Sequence, residues 1–224
     1  MIVTIDGPAG VGKSTVARML ATRLNAAFLD TGAMYRALTL AAVERNVALT
    51  DSDAVLRVLH SCDFDFCPGE RDMNVAIDGR DVSDLIRCPE ITAQVRHIAS
   101  APVLRAALVR MQRQFAVGVP AVVTEGRDQG TVAFPDAQYK FFLKADVDER
   151  ARRRKLQLVQ GGTNVDIARI RQDIIERDRS DESRSTGPLV PADDAIIIDS
   201  TSLDAAGVVE AMIKHIESRP DVKE

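Results

Sequence analysis

Cysteine is scarce in this chain, with three in 224 residues at Cys62, Cys67 and Cys88. The number is odd and no two form a C-x-x-C pair, which argues against a disulfide framework and against a zinc site. The three are expected to be reduced packing residues. Histidine is equally sparse. His60, His97 and His215 lack metal-ligand spacing, so each is expected at the surface or in packing. No run of about 18 apolar residues offers a transmembrane helix. The strand-like IVTI that begins at residue 2 leaves no room for a signal peptide, and a cytoplasmic protein is expected. Nor is positive charge in excess: 29 Lys and Arg against 33 Asp and Glu leave a net charge of -4. That balance argues against a chain that coats nucleic-acid polymers or anionic membranes, so the arginines have to be read by position. Internal repeats and low-complexity linkers are also missing, and one compact unit with appendages is expected.

What is present is the composition of an ordinary globular protein, 46% hydrophobic and 28% charged. Short apolar runs alternate with helical patterns. The runs are IVTI (2–5), AAFLD (26–30), PAVVTEG (120–126), YKFFLKA (139–145) and AIIID (195–199), and helical spacing fills Ser14 to Leu24 and Leu203 to Ile216. This alternation predicts an α/β fold, a parallel sheet flanked by helices, with its binding crevice at the carboxyl ends of the strands. Two segments depart from it. Cys62 to Asp84 has period-two stretches around the turn-rich CPGERD and DGRD, and reads as a small antiparallel insert. Glu149 to Arg184 is dense in arginine and broken at Gly161-Gly162, which reads as a basic helix, a hinge and a second helix.

GPAGVGKST, Gly7 to Thr15, follows the first strand and opens a helix, and it satisfies G-x-x-x-x-G-K-[ST]. Along Gly7, Pro8, Ala9, Gly10, Val11 and Gly12 the glycines let the backbone wrap phosphate oxygens, N–H groups point inward, and the helix terminus adds a favourable dipole. Lys13 is expected on the β and γ phosphates of ATP, Ser14 on Mg2+, and Thr15 completes the loop. A guanine reader of the N-K-x-D type is missing. The nearest match, Leu143-Lys144-Ala145-Asp146, has leucine in place of asparagine, and a small-molecule kinase becomes the leading class.

Further polar residues gather at the expected sheet edge. LDTGAMYRAL puts Thr31 and Arg36 after the second strand, although alone it also describes a capped amphipathic helix with a solvated arginine. TEGRDQGTV puts Glu125, Arg127 and Asp128 after another strand. Asp6 and Glu125 are strand-end acids, open either to Mg2+ and its waters or to an ordinary structural role. In ERDRSDESR, Arg177, Asp181 and Arg184 are spaced i, i+4, i+7 and share one face if helical. Arg105 follows Pro102, a helix-initiating residue. The helix ERARRRKLQLVQ sets Arg150, Arg153 and Arg154 on one face, able to close over phosphates.

Taken together, TIDGPAGVGKST, LDTGAMYRAL, TEGRDQGTVAFPDA and ERDRSDESRSTGPLVPADDAIIIDST resemble the bacterial cytidylate kinases, P-loop nucleoside monophosphate kinases, over essentially the whole chain. The resemblance implies transfer of the γ-phosphoryl group of ATP to CMP or dCMP. It implies a single kinase domain with a core at 1–60, 91–148 and 185–224, an inserted monophosphate-binding subdomain at about 61–90 and a lid with its hinge at about 149–184. Carried over residue by residue, Arg36, Arg127 and Arg184 match arginines on the acceptor phosphate. Arg177 and Asp181 match sugar contacts, and Thr31, Arg105 and Asp128 match the group around the base. With Lys13 from the phosphate loop and Arg153 from the basic helix face, Arg127 and Arg184 make up the expected catalytic cations. One position departs: where the family often has serine near the base, this chain has Arg96, with Ser100 nearby. The expected partners are small molecules and the expected state is a monomer.

Overall fold

A computed structural model describes residues 1–69, 73–160, 162 and 165–218. In chain order its elements are β1 (Ile2–Asp6), α1 (Lys13–Arg23), β2 (Ala27–Asp30), α2 (Thr31–Glu44), α3 (Ser52–Ser61), β3 (Phe64–Pro68), β4 (Met73–Ile77), β5 (Arg80–Asp81), α4 (Pro89–Ser100), α5 (Pro102–Val117), β6 (Val122–Gly126), β7 (Tyr139–Lys144), α6 (Val147–Gln160), α7 (Ile167–Glu182), β8 (Ile196–Asp199) and α8 (Ala205–Ser218). The chain falls into two compact units, one of Met1–Ala26 with Val123–Glu224, the other of Ala27–Val122.

In the first unit, strands lie in the order β6-β1-β7-β8. β1 and β7 run parallel with Val3 opposite Tyr139 and Ile5 opposite Phe141, and β7 and β8 are parallel with Phe141 opposite Ile196. Residues Val3 to Asp6 of β1 are all buried, as expected of a strand covered on both faces, and its β-branched residues suit that place. Ile5, Leu20, Val123, Phe141, Leu143, Val208 and Met212 are almost wholly shielded from solvent. His215 of α8 sets its ring edge-on to Phe141, with centroids 5.8 Å apart, and so belongs to packing. Helices α6 and α7 have an apolar cluster of their own, Ala151, Ile170 and Ile174, with Val147, Leu158 and Val165 against it. Between them Gly162 takes a left-handed φ of 79°, while Gly161 of the expected hinge lies outside the described residues.

In the second unit, α2 starts where the Asp30 side chain accepts from the Ala33 N–H at 2.9 Å, an N-cap. Pro89 and Pro102 occupy the first turns of α4 and α5, where their missing N–H groups are not needed. Strands β3, β4 and β5 form an antiparallel sheet within the segment expected as an insert. Met73, Val75 and Ile77 point inward and Asn74 outward, the alternation that marked the segment. The β4–β5 hairpin closes on Asp78-Gly79, both with positive φ, as a tight two-residue turn demands. The expected CPGERD turn includes residues 70–72, outside the described residues. Cys62 and Cys88 are half-buried, but Cys67 is exposed, its thiol donating to Asp65 at 3.2 Å. It is therefore not the packing residue expected. The reason is its outward register on β3, opposite Asn74. No described helix is long and apolar enough to cross a membrane.

Candidate active site

The loop between β1 and α1 takes its shape from glycine. Gly10 and Gly12 have φ of 76° and 97°, and a Cβ on Gly7 would collide with the carbonyl oxygen of Leu143. Lys13, the first residue of α1, is buried and donates from Nζ to the Pro8 carbonyl at 2.8 Å. Burial, then the charges of Arg127 and Arg177, push its pKa down to about 7, against the opposing pull of Glu125 and Asp6. Ser14, exposed beside it, donates from Oγ to Glu125 Oε1 at 2.8 Å. Of the two strand-end acids open to Mg2+, Glu125 is the one that the Ser14 hydroxyl meets. Both oxygens of Asp6 accept backbone amides, from Gln129 and Gly130.

A second group of charges stands at the end of β6 and along and just beyond α7. Arg127 Nε donates to Asp181 Oδ2 at 2.7 Å, and Arg184 donates to Asp181 Oδ1. Asp181 is 3% exposed. Burial alone would raise its pKa, but Arg127 and Arg184 outweigh that and hold the carboxyl below its usual range. Arg177 keeps part of its surface in solvent, yet the protein crowded around its head group, then the charge of Arg127, bring its pKa down to about 10. Arg177 and Asp181 thus share a face of α7 as expected, whereas Arg184 lies beyond the helix end at Glu182 and meets Asp181 from the segment that follows; Lys13 lies within electrostatic reach of Arg127 and Arg177. Cations gathered this closely are disposed to receive anions.

Asp128 is buried, with φ and ψ of -144° and 29°, between β6 and a π-helical turn, Gln129–Ala133. Arg150, Arg153 and Arg154, expected on one face, take three different partners. Arg150 is buried, paired with Asp178 and donating to the Ala9 carbonyl at 3.1 Å. Arg153 binds Glu149 at 2.8 Å, the Ser200 carbonyl at 2.6 Å and, more weakly, the Val11 carbonyl at 3.5 Å. Arg154 is exposed and reaches Gln157. Asp178, which the sequence reading missed, also accepts from the Ala9 N–H at 3.2 Å, so the Arg150–Asp178 pair holds both polar groups of that residue. The signal was available. Asp178 continues the i, i+4 row of Ile170 and Ile174, and a carboxylate on an inward apolar stripe calls for a buried partner.

In the second unit, Arg36 donates to Asp30 Oδ2 at 3.0 Å, and Asp30 also caps α2. A Cβ on Gly32 would sit 3.0 Å from Arg36 Nη1 and 3.1 Å from Asp30 Oδ1, so glycine leaves room for the pair. Thr31 is buried in the first turn of α2. Arg105 is 3% exposed, donates to the Ala99 carbonyl at 3.1 Å and stands 5.8 Å over the Tyr35 ring. Arg87, not singled out from the sequence, comes within 4.0 Å of Asp30. Arg96 is exposed on α4, and Ser100 Oγ bonds the His97 carbonyl of its own helix.

Residues 3–218 match the family model described as cytidylate kinase. The chain is 44% identical over 218 residues to the cytidylate kinase of Pseudomonas aeruginosa, covering 96% of this chain and 95% of that one. It is 40% identical over 222 residues to the cytidylate kinase of Carboxydothermus hydrogenoformans, covering 99% and 100%. Among solved structures, an uncharacterized protein from Eubacterium ventriosum is similar in fold, with a TM-score of 0.52 at 16% identity, covering 98% of this chain and 99% of that one.

Proposed function

The chain belongs to the cytidylate kinase family, and from that premise we infer that it transfers the γ-phosphoryl group of ATP to CMP and dCMP. The observation that carries the reading is electrostatic. The pKa of Lys13 is lowered first by burial and then by Arg127 and Arg177, so the lysine of the ATP loop and the arginines assigned to the acceptor feel one another before any phosphate is bound. Phosphate groups among these cations replace repulsion by attraction and favour the charged lysine. Direct in-line transfer then needs positioning and charge stabilisation rather than a covalent intermediate.

Gly7 to Thr15 are assigned to ATP. Arg36, Arg127 and Arg184 are assigned to the acceptor phosphate, Arg177 and Asp181 to the sugar, and Thr31, Arg105 and Asp128 to the base. Asp181 already accepts from two arginines, but a carboxylate has further lone pairs with which to meet a hydroxyl. Asp128 accepts from the cytosine amino group, where uracil would set a carbonyl against it; mismatched buried polar groups are a strong basis for discrimination. Lys13, Arg127 and Arg184 stabilise charge on the transferring group. Arg153, expected on the helix face that closes over the phosphates, is assigned a fastening role consistent with its bonds to Val11 and Ser200. The Ser14 hydroxyl and the Glu125 carboxylate, 2.8 Å apart, are the hard oxygen donors that suit Mg2+ or its waters. Bound there, Mg2+ would neutralise charge on the phosphates of ATP. Residues 149–184 are read as a lid that excludes water, the competing acceptor. A cytoplasmic monomer completes the proposal.

Initial rates of ADP release with Mg-ATP and CMP, dCMP, UMP or AMP test it, in the wild type and in Asp128→Ala. The expected result is a strong preference for CMP and dCMP that collapses in the variant. A wild type that prefers UMP or AMP would remove the cytidylate assignment.

A further inference from the structure

Asp6 ends β1 directly before the ATP loop, and nothing in the assignments above uses it. It is 4% exposed, and both carboxylate oxygens are occupied by backbone: Oδ1 accepts from the Gln129 N–H at 2.8 Å and Oδ2 from the Gly130 N–H at 2.7 Å. These amides open the π-helical turn that follows Asp128. The leading N–H groups of a helical turn have no partner within it, so Asp6 acts as the cap of this one. The same turn closes back on the base reader, because the N–H groups of Val132 and Ala133 both donate to the Asp128 carbonyl, at 2.9 and 3.1 Å. Gly130 allows the close approach: a Cβ there would lie 3.1 Å from Thr4 Oγ1, 3.3 Å from Lys140 Cδ and 3.5 Å from Asp6 Oδ2. Burial pushes the pKa of Asp6 up to about 6, the charge of Asp128 adds to the effect, and the two amides oppose it. A buried acid is a demanding cap, and asparagine offers only one acceptor atom for two N–H groups.

We propose that Asp6 is a positioning residue for base selection, holding the turn that sets the pose of Asp128. Discrimination between cytosine and uracil thereby depends on a side chain of the strand that leads into the ATP loop. The inference rests on the assignment of Asp128 to the base.

The test compares kcat/KM for CMP and UMP, and KM for ATP, in the wild type, Asp6→Asn and Gly130→Ala. Asp6→Asn retains the shape of the cap but turns an NH2 group toward one of the two amides. The expected result is a fall of about tenfold or more in the CMP-over-UMP ratio, arising in the KM for CMP, with the KM for ATP within about twofold of wild type. Gly130→Ala presses the same turn away from Thr4 and leaves the Asp6 carboxylate in place, and it is expected to lower the same ratio. A merely structural role would reduce the active fraction and scale every acceptor alike. An unchanged ratio in either folded variant therefore overturns the inference, as does a KM for ATP that rises in step with that for CMP. A wild type without preference for CMP would remove the Asp128 assignment and the inference with it. A wild type that prefers CMP beside a variant whose ratio is unchanged overturns the inference alone.

Discussion

Asp181 between Arg127 and Arg184 joins stability to the site through one side chain. Its folded-state pKa lies below the unfolded value, so the native chain binds fewer protons than the unfolded one across that interval. The stabilisation is complete above the unfolded value, near 3.9, and is lost as pH falls through the folded value. The midpoint of urea unfolding is expected to fall more steeply on acidification from about pH 5 to pH 3 in the wild type than in Asp181→Asn. At pH 7 that variant leaves two guanidinium groups without their shared carboxylate, and a loss of about 3 kcal/mol is expected in the same measurement. At Lys13, replacement by Met is expected to lower kcat by at least about a hundredfold in a coupled ADP assay, since the role proposed for it is to hold charge on the transferring phosphate. Part of this was legible. Arg184 lies three residues from Asp181, just past the end of α7, and nearness in sequence brings that pair together. Arg127, 54 residues away, is joined by tertiary folding that no local pattern encodes.

At the scale of elements, each predicted strand of the sheet appears with its ends shifted by at most two residues, because apolar runs and their helical spacers follow from local periodicity. The ties between elements were less legible. Arg150 of α6 and Asp178 of α7 meet at Ala9 of the ATP loop, and the sequence displays Arg150 only as one arginine in a basic run. Asp178→Ala leaves that buried guanidinium unpaired and frees the Ala9 amide. A stability loss of about 3 kcal/mol by urea unfolding is expected, together with a rise of about tenfold in KM for ATP. An unchanged KM beside the stability loss would limit the pair to holding α6 and α7.

For the whole molecule, a net charge of -4 coexists with a local concentration of cations, so composition was a poor guide to the ligand and position a good one. Ligand binding to the folded state alone raises the unfolding temperature. Mg-ATP at about 100 times its Kd adds about 2.7 kcal/mol. Thermal unfolding with and without Mg-ATP is expected to show this shift in the wild type and to lose most of it in Lys13→Met, while a shift caused by CMP persists. The core contact between His215 and Phe141 has a use of its own. The chain lacks tryptophan, so intrinsic fluorescence is a weak reporter, but with three histidines the carbon-bound imidazole protons form a small and assignable set in an NMR spectrum. The ring current of Phe141 singles out those of His215, and their displaced resonances would report the docking of the last helix against the sheet without any label.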